Sequence, residues 1–119
     1  MVKDSTPPRP NRPLGLPDSA FEQRFPVKGL ITKAEVRAVT LYSMGLRRDS
    51  VVWDIGACTG SVAVEVALIA HLGQVYAVER DEANIGPLQK NVEQWGSANV
   101  HVVVGEAPEA VKGLPDPDS

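Results

Sequence analysis

The chain has 119 residues, a formal net charge of −3 and a hydrophobic fraction of 43%. That length holds one domain at most, and the acidic balance argues against a general nucleic-acid or membrane surface, which carries a basic excess. No apolar stretch is long enough to span a bilayer, and the N-terminus lacks the apolar run of a secretory signal. A single cysteine excludes an internal disulfide and fits a reducing, cytoplasmic setting. Two histidines and one cysteine, widely spaced, make no metal-site pattern.

Residues 1–17 carry Pro7, Pro8, Pro10, Pro13 and Pro17 and read as an extended tail or linker. Residues 18–31 contain Phe21, Phe25, Val27, Leu30 and Ile31, enough apolar surface to dock on a domain without forming a clear element. Thr32-Lys33-Ala34-Glu35 has the form of a capping box. Ala34, Ala38, Leu41 and Tyr42 then share one face of a helix that runs to about Gly45. Residues 51–55 read as the first strand. Val62, Val66, Ile69 and Ala70 repeat at helical spacing, with Gly73 as the stop. Residues 75–78 are the second strand, and Ile85, Leu88, Val92 and Trp95 mark the next helix, closed by Gly96. Residues 100–104 are the third strand, after which Pro108 opens another short helix at its first position.

Strand and helix alternate three times, which predicts an α/β fold: a Rossmann-like, doubly wound parallel sheet with helices on both faces. The strands are nearly continuous in apolar residues, as strands covered on both sides are. The first strand is central in such sheets, and here only its second and third neighbours follow. An apolar edge of this kind invites pairing. Residues 18–119 therefore read as the N-terminal, cofactor-binding half of a longer domain, with a self-pairing dimer as the alternative.

The run Asp54-Ile55-Gly56-Ala57-Cys58-Thr59-Gly60 links the first strand to its helix. A dinucleotide fingerprint would need glycines where Cys58 and Ser61 stand, and a phosphate loop would need a lysine after Gly60. What remains, Asp-x-Gly-x-x-x-Gly, is the spacing of the first motif of S-adenosylmethionine-dependent methyltransferases. Glu79 ends the second strand nineteen residues past Gly60, where a carboxylate grips a ribose diol; the plainer alternative is a solvated strand end beside Arg80 and Asp81. Asp54 is placed to orient the loop amides, to face the cofactor's amino group, or to cap the turn. Thr32 reads most simply as a helix cap. The tip at residues 105–109 lies beside the glycine loop, where backbone groups can meet an adenine edge, or it is an ordinary turn. Cys58 reads as a small loop residue rather than a nucleophile, and His71 and His101 as structural residues.

Four segments together resemble the decarboxylating precorrin C15-methyltransferases of cobalamin biosynthesis. They are Gly29-Leu30-Ile31-Thr32-Lys33-Ala34-Glu35-Val36-Arg37, Val52-Trp53-Asp54-Ile55-Gly56, Val75-Tyr76-Ala77-Val78-Glu79-Arg80 and Gly105-Glu106-Ala107-Pro108-Glu109. Leu16-Pro17-Asp18-Ser19-Ala20-Phe21 resembles the opening of that domain. The resemblance implies a class I methyltransferase fold with S-adenosyl-L-methionine contacts at Thr32, Gly56, Ala57, Cys58, Thr59, Gly60, Glu79 and Ala107. It further implies methylation at C15 of a tetrapyrrole, with loss of carbon dioxide from the C12 acetate, and a homo-oligomer, often a tetramer. Members are separate proteins or are fused behind a C5-methyltransferase domain. Cys58 and Thr59 depart from the family's small residues, and the sequence stops before the half expected to bind the tetrapyrrole. No residue is read as catalytic. The competing readings are a class I methyltransferase for another small molecule, an NAD-binding oxidoreductase half-domain, and a cofactor-binding fragment without transfer activity.

Overall fold

The computed structural model describes residues 13–23 and 31–119. The prolines up to Pro10, and Phe25, Val27 and Leu30, lie outside the described residues. Strands β1 (Val51–Ile55), β2 (Gln74–Glu79) and β3 (Val100–Val104) pair in parallel in the order β1-β2-β3. Helix α1 (Ala34–Ser43) precedes the sheet, and α2 (Ser61–Ile69) and α3 (Glu82–Trp95) are the crossovers. Residues Glu109–Val111 make only a single 3-10 turn, with Pro108 at its cap rather than at its first position.

Val52, Val75 and Val100 pair across the sheet, as do Asp54, Ala77 and Val102, so these side chains share a face. Ala63, Val66 and Ala67 of α2 and Leu88 of α3 pack there as one buried cluster. Each fully buried Val or Leu contributes roughly 1.5–3 kcal/mol. The expectation of helices on both faces is corrected. Both crossovers step in the same direction, and right-handed connections then put both helices on one side. The other face, with Trp53, Ile55, Tyr76 and His101, has no helix upon it among the described residues, and Ile55 is 52% exposed.

The free edge of β1 is partly occupied by the chain's own last residues. Asp118 N donates to Val51 O at 2.7 Å, Trp53 N to Ser119 O at 3.1 Å, and Trp53 Nε1 to Pro115 O at 3.0 Å. Gly73 is not a helix stop, since α2 has already ended. A Cβ on Gly73 would lie 1.9 Å from Ser50 O, so glycine allows the close approach of the strand to the preceding loop.

Residues 13–23 form a strap over α1 and α3. Phe21 packs with Ile31 and Val64, and Trp95 Nε1 donates to Ala20 O at 3.0 Å. Arg37, 2% exposed, donates to Leu16 O, to Asp18 Oδ1 at 2.7 Å and to Thr32 O at 3.0 Å. These bonds correct the capping box. The cap position is Lys33, which makes no side-chain cap bond, and what Thr32 offers the helix is its carbonyl, claimed by Arg37. The predicted apolar face of α1 is also only partly covered: Ala34, Ala38, Leu41 and Tyr42 line a groove of about 360 Å³ against Ile69 and residues 14–16.

Candidate functional site

Ligands of parallel α/β sheets bind outside the carboxyl ends of the strands, and here three strand ends meet in one cavity. Its volume is about 380 Å³, within the range of small-molecule sites. Ile55, Gly56 and Cys58 form one wall, Glu79 to Asp81 with Asn84 form the floor, and Gly105, Glu106 and Ala107 form the opposite wall.

The loop between β1 and α2 is fixed by its own amides. Gly56 N and Ala57 N both donate to Val78 O, at 2.8 and 3.0 Å, and Gly60 N donates to Ala57 O at 2.9 Å. Gly56 and Gly60 have φ of 73° and 80°, left-handed values that a glycine adopts without strain. A Cβ on Gly56 would meet nothing within 4 Å, whereas one on Gly60 would lie 2.6 Å from Leu88 Cδ1. Cys58 takes the same hand at φ 52° without being glycine.

Glu79 binds this loop to the end of β2. Its Oε1 accepts from Cys58 N at 2.9 Å, and its Oε2 accepts from Arg80 N at 3.1 Å and Asp81 N at 2.9 Å. Burial opposes its charge, but the Asp81 and Cys58 amides, the Asn84 side chain and the Arg80 amide together hold the carboxyl below the usual range. It is an ionised, oriented acceptor. Asp54 differs. No described donor reaches it, because the loop amides it was expected to orient or cap are taken by Val78 O and Glu79. Burial, and secondarily the charge of Glu79, push its carboxyl up to about 6.

The structure thus brings Gly56, Cys58, Glu79 and Ala107 to the lining of one cavity. Ala57, Thr59 and Gly60 are buried behind that surface, and Thr32 is not on the cavity wall. His71 bonds Ile69 O and His101 stacks on Tyr76; neither lines the cavity. Sequence reasoning missed Asn84 and Asn91. Asn91, fully buried, donates to Thr59 O at 2.7 Å and exchanges hydrogen bonds with the Glu22 backbone, so it ties the glycine loop to the strap. The available signal was spacing: both asparagines fall on the apolar stripe of α3, beside Leu88 and Trp95.

A family model described as a precorrin methyltransferase domain matches residues 23–119. A probable cobalt-precorrin-6B C(15)-methyltransferase (decarboxylating) of Pyrobaculum calidifontis is 46% identical over 106 residues, 87% of this chain and 53% of that protein. The corresponding cobalt-precorrin-6B C(15)-methyltransferase of Salmonella typhimurium is 40% identical over 86 residues, 72% of this chain and 45% of that protein. The crystal structure of precorrin-6y C5,15-methyltransferase from Geobacter metallireducens superposes with a TM-score of 0.81 at 40% identity, over 87% of this chain and 53% of that one. The chain spans about half the length of the curated relatives it matches. With the fold, the glycine loop and the match in agreement, the chain belongs to the precorrin methyltransferase family and has the Rossmann-like fold of class I methyltransferases.

Proposed function

We propose that residues 18–119 are the cofactor-binding part of an S-adenosylmethionine-dependent C-methyltransferase. Its reaction is methyl transfer to C15 of a precorrin or cobalt-precorrin with decarboxylation, as the names of the relatives suggest, and the family resemblance puts that loss at the C12 acetate. The observation that carries the cofactor reading is the charge and bonding of the cavity. Glu79, Asp81 and Glu106 line it against the single guanidinium of Arg80. The amides of Gly56, Ala57, Cys58 and Gly60 are all engaged within the protein. A pyrophosphate, which needs free amides and an excess of positive charge, would meet three carboxylates, one guanidinium already paired with Glu106, and a loop whose Gly56, Ala57, Cys58 and Gly60 amides are taken. A cationic nucleoside suits the same walls, so the residues present fit S-adenosylmethionine and disfavour NAD.

In this reading Glu79 holds the ribose, Gly56 and Cys58 bear on the methionine portion, and Ala107 frames the adenine. Ala57, Thr59 and Gly60 support the loop from behind. Thr32 belongs to the set by resemblance to the family. When bound, the cofactor supplies a methyl group already activated by its sulfonium. The chain's own contribution is alignment: a wall fixed before the ligand arrives removes an ordering cost from binding. The tetrapyrrole substrate, homo-oligomeric assembly and a cytoplasmic location complete the proposal. The substrate follows the printed names of the relatives and the assembly follows the family resemblance; among the described residues no helix is long and apolar enough to cross a membrane.

Calorimetric titration with S-adenosylhomocysteine, with NAD as a parallel ligand, tests this. Saturable binding is expected, absent with NAD and lost in Glu79→Ala. Because that variant removes an acceptor from three amides, Glu79→Gln and a circular dichroism spectrum accompany it. A folded chain that binds NAD and not S-adenosylhomocysteine would overturn the proposal.

A further inference from the structure

The ladder between β2 and β3 ends with Glu79 opposite Val104, and one more backbone bond, Gly105 N to Glu79 O at 2.9 Å, extends it. Beyond that point the two chain segments diverge around the cavity. Side chains then make the next link: Arg80 Nη1 donates to Glu106 Oε1 at 2.9 Å. Both residues line the cavity and both are solvent-facing, at 72% and 69% exposure. An ion pair so exposed adds little to folding. Its location gives it another use.

Resting on the S-adenosylmethionine reading, we infer that Arg80 and Glu106 form a positioning clasp that sets the spacing of the cavity's floor and outer wall, so that the adenosyl group enters a preformed slot. Without Arg80, the Glu106 carboxylate would face those of Glu79 and Asp81 with no cation between them, and the repulsion would favour a wider opening. Without Glu106, the long Arg80 side chain would have no partner at the rim. In either case the ligand would have to order the two segments itself, and affinity would fall. An internal control exists: Lys112 Nζ and Glu109 Oε2 are also 2.9 Å apart and similarly exposed, at 71% and 75%. That pair lies within one turn and links no two walls.

The test measures S-adenosylhomocysteine affinity and amide hydrogen exchange for Arg80→Ala, Glu106→Ala, the double exchange Arg80→Glu with Glu106→Arg, and Lys112→Ala. Each single variant should bind about three- to tenfold more weakly, with an unchanged melting temperature. The double exchange should return to within about twofold of the unmodified chain, and Lys112→Ala should match it. Exchange at residues 105–107 should quicken in the singles and slow again in the double exchange, with no ligand present. Singles that bind and exchange like the unmodified chain would overturn the clasp. So would a double exchange as weak as the singles, since the side chains would then contact the ligand directly. If the unmodified chain fails to bind S-adenosylhomocysteine, the cofactor reading falls, and the exchange rates alone decide whether the two walls are clasped.

Discussion

At the cavity's floor, which with the glycine loop makes its inner wall, the carboxylate of Glu79, 4% exposed, accepts three main-chain amides, whereas along the opposite, outer wall Glu106 meets one guanidinium and both partners stand in water. The inner bonds are charge-assisted and shielded, and losing them leaves main-chain donors without acceptors. The outer bond is screened and replaceable by solvent. Stability and ligand affinity therefore part company between the walls. Changes to the inner wall should lower both, while changes to the outer wall should lower affinity alone.

The largest effect should come from Glu79→Ala. The amides of Cys58, Arg80 and Asp81 lose their common acceptor, at an expected cost of about 3 kcal/mol in urea unfolding. Glu79→Gln should cost less, because one oxygen still accepts, but its amide group then confronts a main-chain N–H. A Glu79→Ala chain as stable as its parent would erase the distinction between the walls.

Gly60→Ala comes next. The residue is left-handed at φ 80°, and its new Cβ would press on Leu88, which is fully buried and cannot swing away. Strain and overpacking together should cost about 2 kcal/mol. Gly113 has nearly the same φ, 85°, but nothing within 4 Å of a Cβ, so Gly113→Ala isolates the backbone part at about 1 kcal/mol. Equal losses at the two positions would show that the packing behind the inner wall is looser than it looks.

The strands, the crossover helices and the glycine loop were legible because each rests on local chemistry: apolar runs, helical spacing and a carboxylate at a strand end. The single covered face was not legible. A continuous apolar run such as residues 75–78 looks the same whether or not a helix lies on its second face. Thr32 misled for a different reason, since the spacing of a capping box does not report that Arg37 claims the Thr32 carbonyl. Arg37, Asn84 and Asn91 share one signature, a polar residue on an apolar helical stripe, and each secures a neighbouring segment. Polar breaks in an amphipathic pattern deserve the same weight as the pattern.

The smallest expected effect concerns Asp54, and its sign is opposite to that of Glu79. Glu79 has a lowered folded pKa, so its stabilisation is present above the unfolded value and is lost as pH falls through the folded one. Asp54 is raised from 3.8 to about 6. Between those values the folded chain holds a proton that the unfolded chain has released, so this group's contribution is full at low pH and declines as pH rises through the window. Above about 6 the folded protein carries a half-buried carboxylate with no donor and a like charge nearby. Asp54→Asn keeps the shape without the charge. It should match the parent at pH 4 and exceed it by roughly 1–2 kcal/mol at pH 7.5, because solvent screening of a half-exposed group reduces the about 3 kcal/mol that such a shift carries at most. Urea unfolding at the two pH values reads the difference. An Asn variant less stable than its parent at pH 7.5 would mean that the Asp54 carboxylate has a donor in solution, and the strand ends behind the cavity would then hold two satisfied acids rather than one.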